Sequence, residues 1–320
     1  MHLLISPSSD PFKNLAIEEY LLKSSSEDFI FLYVNRPCVV VGKHQITTKE
    51  IDSQYTFRNN ILIARRLSGG GTVFHDEGNL NFSFISNVPP GSCALYRTLT
   101  EPIIRFLQEE GAAVSLTERN DIMLSDSKVS GSAMHVYKNR VLAHCTLLID
   151  CSLINLSSSL QTKPERFLDK SIASVRSKVA NLSDNYPYFS VSNAIDKFTE
   201  YIMHENRGSS FLSISEEDQF HINLLASEKY STHEWIYGYS PKYTYKNSLE
   251  YNGNILKYRL EIEKGIIKNV QIESIDQLTS TIELELNTLI GRPHHIFAFP
   301  VHDVNLLLTD FSRLLINSLF

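Results

Sequence analysis

Three consecutive glycines, Gly69 to Gly71, lie between the apolar run 61–64 and the strand-like run 72–74. Each glycine adds backbone freedom that folding must overcome and contributes no side chain to a core. A loop without Cβ atoms lets several backbone N–H groups point into one cavity, where they meet an anion or a carbonyl oxygen. The preceding Arg65 and Arg66 carry guanidinium groups suited to phosphate or carboxylate oxygens. The stretch therefore predicts a loop that binds an anionic ligand, with a flexible hairpin loop as the alternative.

The residues after the glycines exclude two common phosphate-binding motifs. A Walker A loop closes with Gly-Lys-Ser or Gly-Lys-Thr, which this stretch lacks. A dinucleotide-binding fingerprint opens a helix directly after its glycines, whereas Thr72, Val73 and Phe74 continue as a strand. The loop is therefore expected to belong to another architecture.

The composition gives no surplus of positive charge. The chain has 320 residues, of which 42% are hydrophobic, so it is long enough for one large domain and a smaller one. Its 30 lysines and arginines against 36 aspartates and glutamates give a net charge of −6, which argues against broad binding to nucleic acid or anionic membranes. No apolar run reaches transmembrane length. We expect neither nucleic acid nor a membrane among the partners.

The cysteine content and the N-terminal residues indicate the cellular compartment of the protein. Cys38, Cys93, Cys145 and Cys151 show no CxxC spacing and are too few for a disulfide framework in a chain of this length, so free thiols are expected. The N-terminus has no basic region followed by a long apolar stretch and no arginine-rich transit segment. A cytoplasmic protein is predicted, although a mature mitochondrial form would have the same features.

Local signals predict mixed helices and strands. Asp10 and Pro11 mark a helix start, and the helix 12–23 is expected to bury an apolar face, with Glu18 and Glu19 directed elsewhere. The other predicted strands lie at 29–34, 38–41, 61–64, 72–75, 80–85, 114–116, 122–124 and 141–150, the first two paired as a hairpin, and further helices lie at 100–110 and 190–207.

The C-terminal part has its own pattern. Alternating strands with turns at Asn252-Gly253 and Lys264-Gly265 predict a small antiparallel sheet. Its strands are expected at 243–246, 248–251, 255–263 and 266–274, and its covering helices at 275–290 and 304–319. The break between Gly238 and Pro241 is the predicted boundary between a domain of residues 1–238 and a domain of residues 241–320.

A second informative block begins at Lys128. The small residues that follow it, Ser130 to Ala133, are typical of a chain that skirts a ligand and offers it one point charge. The alternative is a solvated lysine. Nearby Asp121 is a candidate ligand for a magnesium ion that accompanies nucleotide phosphates, or else a turn residue.

The strand 141–150 carries polar residues in its interior. Because side chains alternate along a strand, His144 and Thr146 are expected to line one pocket while Cys145 packs on the opposite face. The same alternation argues against a nucleophilic Cys145 activated by His144.

Five separated blocks of this sequence resemble blocks of lipoate-protein ligases and lipoyltransferases. They occur in the same order and at similar spacings, and the resemblance covers nearly the whole chain. The blocks are Arg65-Arg66-x-Ser68-Gly69-Gly70-Gly71 continuing through His75-Asp76 to Gly78-Asn79, then Lys128-x-Ser130-Gly131-x-Ala133, His144-x-Thr146-Leu147-Leu148, Ala173 to Val179, and Glu234 to Gly238 followed by Pro241-Lys242.

The resemblance implies an α/β (α+β) fold shared with biotin-protein ligases, in which a mixed sheet has helices against one face and a small α+β accessory domain follows. It implies ATP-dependent activation of lipoate to lipoyl-AMP and transfer of the lipoyl group to a lysine. The implied acceptors are apo lipoyl domains of 2-oxoacid dehydrogenase E2 subunits and the glycine cleavage H protein. ATP and lipoate are the implied ligands. Mg²⁺, for which Asp121 is the candidate ligand, is expected to accompany ATP, and a monomer is expected.

By the same resemblance, Lys128 matches the catalytic lysine, whose charge stabilises carboxylate and phosphate oxygens in both half-reactions. Arg66 and the backbone from Gly71 to Phe74 match positions that hold the nucleotide and the lipoyl group, and Asp121 is the candidate Mg²⁺ ligand. The other candidate ligand-binding residues are Arg65, Ser68, Gly69, Gly70, Thr72, Val73, His75, Asp76, Asn79, Gly131, Ala133, His144 and Thr146.

Three alternatives to a complete ligase remain at this point. Cys145 occupies a position where typical bacterial ligases have glycine, which keeps open a lipoyltransferase that uses preformed lipoyl-AMP or a lipoylated protein donor. A binding protein for lipoyl domains would not need the arginines, the glycine loop and Lys128 together. Octanoyl transfer through a cysteine thioester has Cys145 as its candidate nucleophile.

Overall fold

The structure is a computed structural model, and it describes residues 1–88, 95–118, 120–206, 208–274, 280–299 and 310–320. The strands are β1 His2–Ile5, β2 Phe29–Val34, β3 Cys38–Val41, β4 Leu62–Arg65, β5 Val73–His75, β6 Asn79–Asn87, β7 Val114–Leu116, β8 Ile122–Leu124, β9 Ser127–Ser130, β10 Ser132–Tyr137, β11 Arg140–Leu148, β12 Phe167–Leu168, β13 Ser210–Phe211, β14 Tyr243–Tyr251, β15 Asn254–Glu263 and β16 Ile266–Ser274. The helices are α1 Pro11–Ser24, α2 Thr47–Glu50, α3 Ser53–Arg58, α4 Leu95–Glu109, α5 Leu153–Ser159, α6 Val191–Glu205, α7 Glu216–Leu225, α8 Ser280–Asn287 and α9 Asp310–Ser318. Short 3₁₀ turns occupy Pro164–Arg166 and Ile296–Ala298, and wider π-helical turns occupy Ala226–Tyr230 and Glu234–Gly238.

A mixed six-stranded sheet forms the centre of the molecule, in the order β10-β11-β6-β2-β1-β13. The neighbouring strands from β10 through β11 and β6 to β2 pair antiparallel, and β1 pairs parallel with both β2 and β13. The mixed α/β architecture predicted from the sequence is therefore confirmed.

Helices cover both faces of this sheet, whereas the resemblance implied one. Along β2, Ile30 and Leu32 pack with residues of α4 and α6, and Phe31 and Tyr33 pack with residues of α1. A strand that is apolar at every position has two faces to bury, so a helical layer on each side follows from its sequence.

The predicted hairpin between 29–34 and 38–41 is wrong. Strand β3 leaves the large sheet and lies between β4, to which it is parallel, and β5, to which it is antiparallel. Val39 and Val41 face one apolar cluster, while Cys38 and Val40 face another. A strand buried on both faces needs a neighbour on each edge for its backbone groups, and β4 and β5 supply them.

Two smaller sheets complete the fold. Strands β7, β8 and β9 form an antiparallel meander beside the large sheet. Strands β14 to β16 form the predicted C-terminal sheet, with α8 and α9 against it, and β12 joins its edge from the preceding part of the chain. The predicted helices 275–290 and 304–319 begin outside the described residues, and the boundary between 1–238 and 241–320 stays a prediction.

Other sequence signals can be checked directly. The Asp10 side chain accepts a hydrogen bond from the Phe12 N–H at the start of α1, as predicted. The described cysteines Cys38, Cys145 and Cys151 are buried free thiols, and Cys93 lies outside the described residues. Within the described ranges, no helix has the length and apolar character needed to cross a lipid bilayer.

Candidate active site

Two adjoining cavities lie beside β9 and the glycine loop. The first, of about 340 Å³, is lined by Arg66, His75 and His144 and is called the Arg66 cavity. The second, of about 400 Å³, is lined by Glu50, Phe74 and Leu148 and is called the Glu50 cavity. The residues common to both linings are Thr72, Val73, Lys128, Gly131, Thr146, Ala173, Ser174, Val175 and Ser177.

Lys128 lies where the two cavities meet. Its Nζ is 2.7 Å from the Asp121 Oδ1, and both side chains are 23% exposed. Gly131 lies beside this side chain, since a Cβ there would be 3.4 Å from the Lys128 Cε. Among the described residues, no group of three His, Cys, Asp or Glu side chains is arranged to hold a metal. Asp121 therefore offers a single carboxylate rather than a complete metal site.

Arg66 shapes the glycine loop while lining the cavity named after it. Its Nε donates to the Ser68 hydroxyl at 2.9 Å, and its Nη2 donates to the carbonyls of Gly69 and Gly71 at 2.6 and 2.7 Å. Gly70 has a φ of +88°, and a Cβ there would lie 3.1 Å from the Arg66 Nη2. A side chain at Gly70 would thus be strained by the backbone and crowd the guanidinium.

Arg65 lines neither cavity, contrary to the expectation that both arginines face the ligand. It is fully buried, and it donates to the carbonyls of Gly42 and Gln45 and to that of Ile236 at 2.8 to 3.1 Å. Burial lowers the pKa of its guanidinium to about 10. Arg65 is the last residue of β4 and Arg66 follows it directly. Because adjacent residues of an extended chain point to opposite faces, only one of the two arginines faces the cavity.

A buried chain of polar groups stands behind the Arg66 cavity. The His144 Nε2 lies 2.6 Å from the Ser68 hydroxyl, and its Nδ1 lies 3.0 Å from the Glu18 Oε1. The same oxygen accepts from Tyr33 at 3.0 Å and from the Ser83 hydroxyl. Hydrogen bonds therefore run without interruption from Glu18 through His144 and Ser68 to Arg66.

The expectation that Glu18 and Glu19 lie off the buried face of the first helix is wrong, since both are buried. Burial by itself would raise the pKa of Glu18, but the charge and hydrogen bond of His144 and the hydroxyls of Ser83 and Tyr33 outweigh it and lower that pKa. Sequence reasoning missed Glu18 because a helical glutamate is usually solvated.

The segment from His75 to Asn79 divides between the cavity and the scaffold. His75 lines the Arg66 cavity, its Nδ1 lies 3.0 Å from the Asn35 amide nitrogen, and burial lowers its pKa to about 3. Asp76 instead accepts from the backbone N–H groups of Gly78 and Ser152, and the Asn79 amide donates to Asn81. Asp76 and Asn79 thus hold the turn rather than face either cavity.

The placement of the predicted site residues is therefore mixed. Ten line the Arg66 cavity with Arg66 and Lys128, namely Gly70, Gly71, Thr72, Val73, His75, Asp121, Gly131, Ala133, His144 and Thr146. Phe74 lines the Glu50 cavity but not the Arg66 cavity. Five line neither cavity, namely Arg65, Ser68, Gly69, Asp76 and Asn79.

A segment without regular secondary structure, residues 169–178, covers both cavities and is called the cover. The Ser174 hydroxyl accepts from the Thr72 N–H at 2.9 Å and from the Gln45 amide at 3.0 Å, and it donates to Glu50. Lys49 pairs with the buried Asp169 at 2.7 Å. These contacts fasten the cover to the glycine loop and to α2.

Cys145 does not have the environment of a nucleophile. Cys145 contributes to the lining of the Arg66 cavity, contrary to the expectation that it lies wholly on the opposite face. Its side chain is nevertheless buried in an apolar cluster, and burial raises the pKa of its thiol to about 12. Both nitrogens of the neighbouring His144 ring already contact Glu18 and Ser68. A thiol with so high a pKa has almost no thiolate near neutral pH, which counts against thioester chemistry.

Comparison with known proteins agrees with this arrangement. The model of the lipoyl protein ligase A/B catalytic domain matches residues 10–203. Lipoate–protein ligase 1 of Staphylococcus aureus is 36% identical over 292 residues, which are 89% of this chain and 88% of the relative. Lipoate-protein ligase LplJ of Bacillus subtilis is 34% identical over 309 residues, 93% of this chain and 92% of the relative.

Solved structures of lipoate-protein ligases have a fold similar to that of this chain. The crystal structure of lipoate-protein ligase A bound with ATP superposes with a TM-score of 0.64 at 26% identity, covering 74% of this chain and 98% of that one. A T. acidophilum structure with bound lipoic acid superposes with a TM-score of 0.64 at 25% identity, covering 73% and 98%. The chain therefore belongs to the lipoyl protein ligase A/B catalytic domain family and is an enzyme of the ligase class.

Proposed function

We propose that this enzyme is an ATP-dependent lipoate-protein ligase that activates lipoate to lipoyl-AMP and then transfers the lipoyl group to a lysine of a lipoyl domain. The observation that carries the proposal is the position of Lys128 at the meeting point of two cavities. A reaction that joins two substrates needs both reacting atoms next to one stabilising charge. A simple binding protein has no need of that junction.

The linings of the two cavities suggest which substrate each holds. The Arg66 cavity combines apolar side chains, including Leu15 and Val40, with Arg66 and His144, a mixture that suits an aliphatic acyl chain ending in a carboxylate. The Glu50 cavity has an apolar wall that includes Leu156 and Leu160, with the exposed Arg176 on its cover, which suits a nucleotide. We therefore place lipoate in the first cavity and the adenosine part of ATP in the second.

In the first half-reaction, a carboxylate oxygen of lipoate attacks the α-phosphorus of ATP, and the bond to the β-phosphate oxygen breaks to release pyrophosphate. The Lys128 ammonium would lie against oxygens of both groups and offset the negative charge that builds as they approach. The glycine loop would offer backbone N–H groups to the same oxygens.

In the second half-reaction, the neutral amine of the acceptor lysine attacks the lipoyl carbonyl carbon, AMP leaves with the electrons of the anhydride bond, and the proton lost by the nitrogen passes to water. Free carboxylate and amine do not condense in water, so the anhydride supplies the leaving group. Lys128 would again stabilise negative charge on the carbonyl and phosphate oxygens. Its charge thus serves both steps from one place.

Magnesium would enter with the nucleotide. Mg²⁺ in such sites is bound by one or two carboxylates together with substrate phosphates, and Asp121 provides one carboxylate at the cavity. Bound there, the ion would neutralise phosphate charge. Asp121 now pairs with Lys128, so binding of the ion would also leave Lys128 available to the substrates.

The acceptors in this proposal are apo lipoyl domains of 2-oxoacid dehydrogenase E2 subunits and the glycine cleavage H protein. Support comes from a similar T. acidophilum lipoylation system, described as a bi-partite lipoate protein ligase and its E2 lipoyl domain. We place the enzyme in the cytoplasm as a monomer.

The test is lipoate-dependent release of pyrophosphate from ATP by the purified enzyme without acceptor, followed by addition of an apo lipoyl domain. Release and lipoylation together are the expected result. No release, with transfer from synthetic lipoyl-AMP, would instead make the protein a transferase. Lys128→Ala should lose both half-reactions and keep its thermal midpoint, and normal transfer by that variant would remove Lys128 from the mechanism.

A further inference from the structure

A basic surface begins at the edge of the Arg66 cavity. Strand β10 starts there, with Ser132 and Ala133 in the cavity lining. Gly42 and Ala133 flank Gly70 closely, since a Cβ on Gly42 would lie 2.1 Å from the Gly70 carbonyl and a Cβ on Gly70 would lie 3.8 Å from that of Ala133. Lys43 follows Gly42, so its side chain leaves the backbone at the rim. We call Lys43, Lys138 and Lys23 the basic edge.

Positive charge on this surface is not balanced locally. Lys23 pairs with Glu19, but the other oxygen of that carboxylate pairs with Lys229 at 2.6 Å, so one anion serves two cations. Among the described residues, Lys43 and Lys138 form no ion pair, and their ammonium groups lie 5.9 and 5.2 Å from tyrosine rings instead. The whole chain has a net charge of −6, so the positive charge of this surface is opposite in sign to the net charge of the protein.

The basic edge coincides with an open edge of the central sheet. Strand β10 is terminal in the sheet order and pairs only with β11 among the described strands. Its Met134 and Val136 are apolar yet 38% and 56% exposed. An exposed strand with an apolar row and lysines beside it has the composition of a surface that meets a protein.

We propose that the basic edge docks an acidic face of the folded acceptor domain and so directs the acceptor lysine toward Lys128, an inference that rests on the proposed function. The acceptor lysine must approach a cavity rim that is already positive, which would repel it. Carboxylates around that lysine would offset the repulsion and bring the domain to the rim with β10 alongside. Charges at a contact rim act mainly on the rate and orientation of encounter.

The test uses the full-length enzyme with the charge reversals Lys43→Glu and Lys138→Glu combined. The probe is an apo lipoyl domain with acidic residues around its acceptor lysine. Transfer should lose about tenfold or more in kcat/KM for the domain at low salt, through a higher KM. Wild-type transfer should weaken as salt rises, and the variant should lose that dependence. Lipoate-dependent pyrophosphate release should stay unchanged, because neither side chain lines a cavity.

Two controls make the result specific. The matched double variant Lys257→Glu with Lys268→Glu makes the same change of net charge on exposed lysines of the C-terminal sheet, and it should transfer normally. A lipoyl domain with its acidic residues changed to lysine should react poorly with the wild type and better with the basic-edge variant. Unchanged kcat/KM in the basic-edge variant, or an equal loss in both variants, would overturn the docking proposal. Failure of the wild type to release pyrophosphate or to lipoylate would instead refute the proposed function.

Discussion

Replacement of Glu18 by glutamine tests whether the buried chain of polar groups positions the Arg66 cavity. The change keeps the shape of the side chain and removes its charge. Three groups, His144, Tyr33 and Ser83, contact the Glu18 Oε1. A hydrogen bond to a charged group contributes about 1.5–3 kcal/mol and a neutral one about 0.5–1.5 kcal/mol, so each bond weakens by about 1 kcal/mol. The expected loss of stability at neutral pH is therefore about 3 kcal/mol as an upper limit.

The pH dependence of that loss has a definite sign. The pKa of Glu18 is lower in the folded protein than its usual value of 4.5, so its carboxylate stabilises the fold fully above the unfolded pKa. That contribution disappears as the pH falls through the lower folded pKa. The stability difference between the wild type and Glu18→Gln should hence be largest near neutral pH and should shrink in acid. Urea titrations at several pH values measure it.

Activity separates positioning from simple stability. If Glu18 orients His144, Ser68 and Arg66, then Glu18→Gln should raise the KM for lipoate by about tenfold, equivalent to about 1.4 kcal/mol, and should alter the KM for ATP little. Ser83→Ala is a control for stability, because it removes one donor to Glu18, keeps the charge and lies outside both cavity linings. An unchanged KM for lipoate in a fully folded Glu18→Gln enzyme would refute the reasoning.

Three further predictions follow from the site. Arg65→Met leaves several buried acceptors without a donor, so it should lower the free energy of unfolding by about 3 kcal/mol or more; a urea midpoint equal to that of the wild type would contradict the structural role. Ser174→Ala removes three contacts of the cover and should lower kcat/KM for pyrophosphate release about tenfold, equivalent to about 1.4 kcal/mol, with little change in thermal midpoint; Lys170→Ala, an exposed residue of the same segment that lines neither cavity, is its control. Cys145→Ala should keep full transfer, because the buried thiol has a pKa near 12; loss of transfer in a folded variant would restore the thioester alternative.

Local signals in the sequence were sufficient for elements that are decided by neighbouring residues. The turns at Asn252-Gly253 and Lys264-Gly265 have positive φ at both positions, which is what a tight two-residue connection between antiparallel strands requires. The N-terminal boundary of α1 likewise follows from Asp10 and Pro11. The predicted strands 255–263 and 266–274 are therefore confirmed as β15 and β16. The predicted break between 243–246 and 248–251 is wrong, because Asn247 pairs with Tyr258 and β14 continues through it.

Other features depend on contacts that are distant in the chain. The partners of β3 cannot be read from an apolar run that could pair with any buried strand. The role of Glu18 depends on His144, 126 residues away. A signal did exist for the two arginines, because adjacent residues on a strand face opposite ways and only one of Arg65 and Arg66 could reach the ligand.

The backbone of Lys128 is hydrogen-bonded to the end of the segment that covers the cavities. Its N–H donates to the Lys178 carbonyl at 2.8 Å, and its carbonyl accepts from the Ala180 N–H at 3.2 Å. The amide protons of Lys128 and Ala180 can exchange with deuterated water only when this short parallel bridge separates. The hydrogen-exchange rates of these two amides would thus report how often the cover detaches, in the chemically unmodified enzyme without a ligand. Displacement of the cover would also disturb the lysine itself, so an open enzyme would be an inactive one.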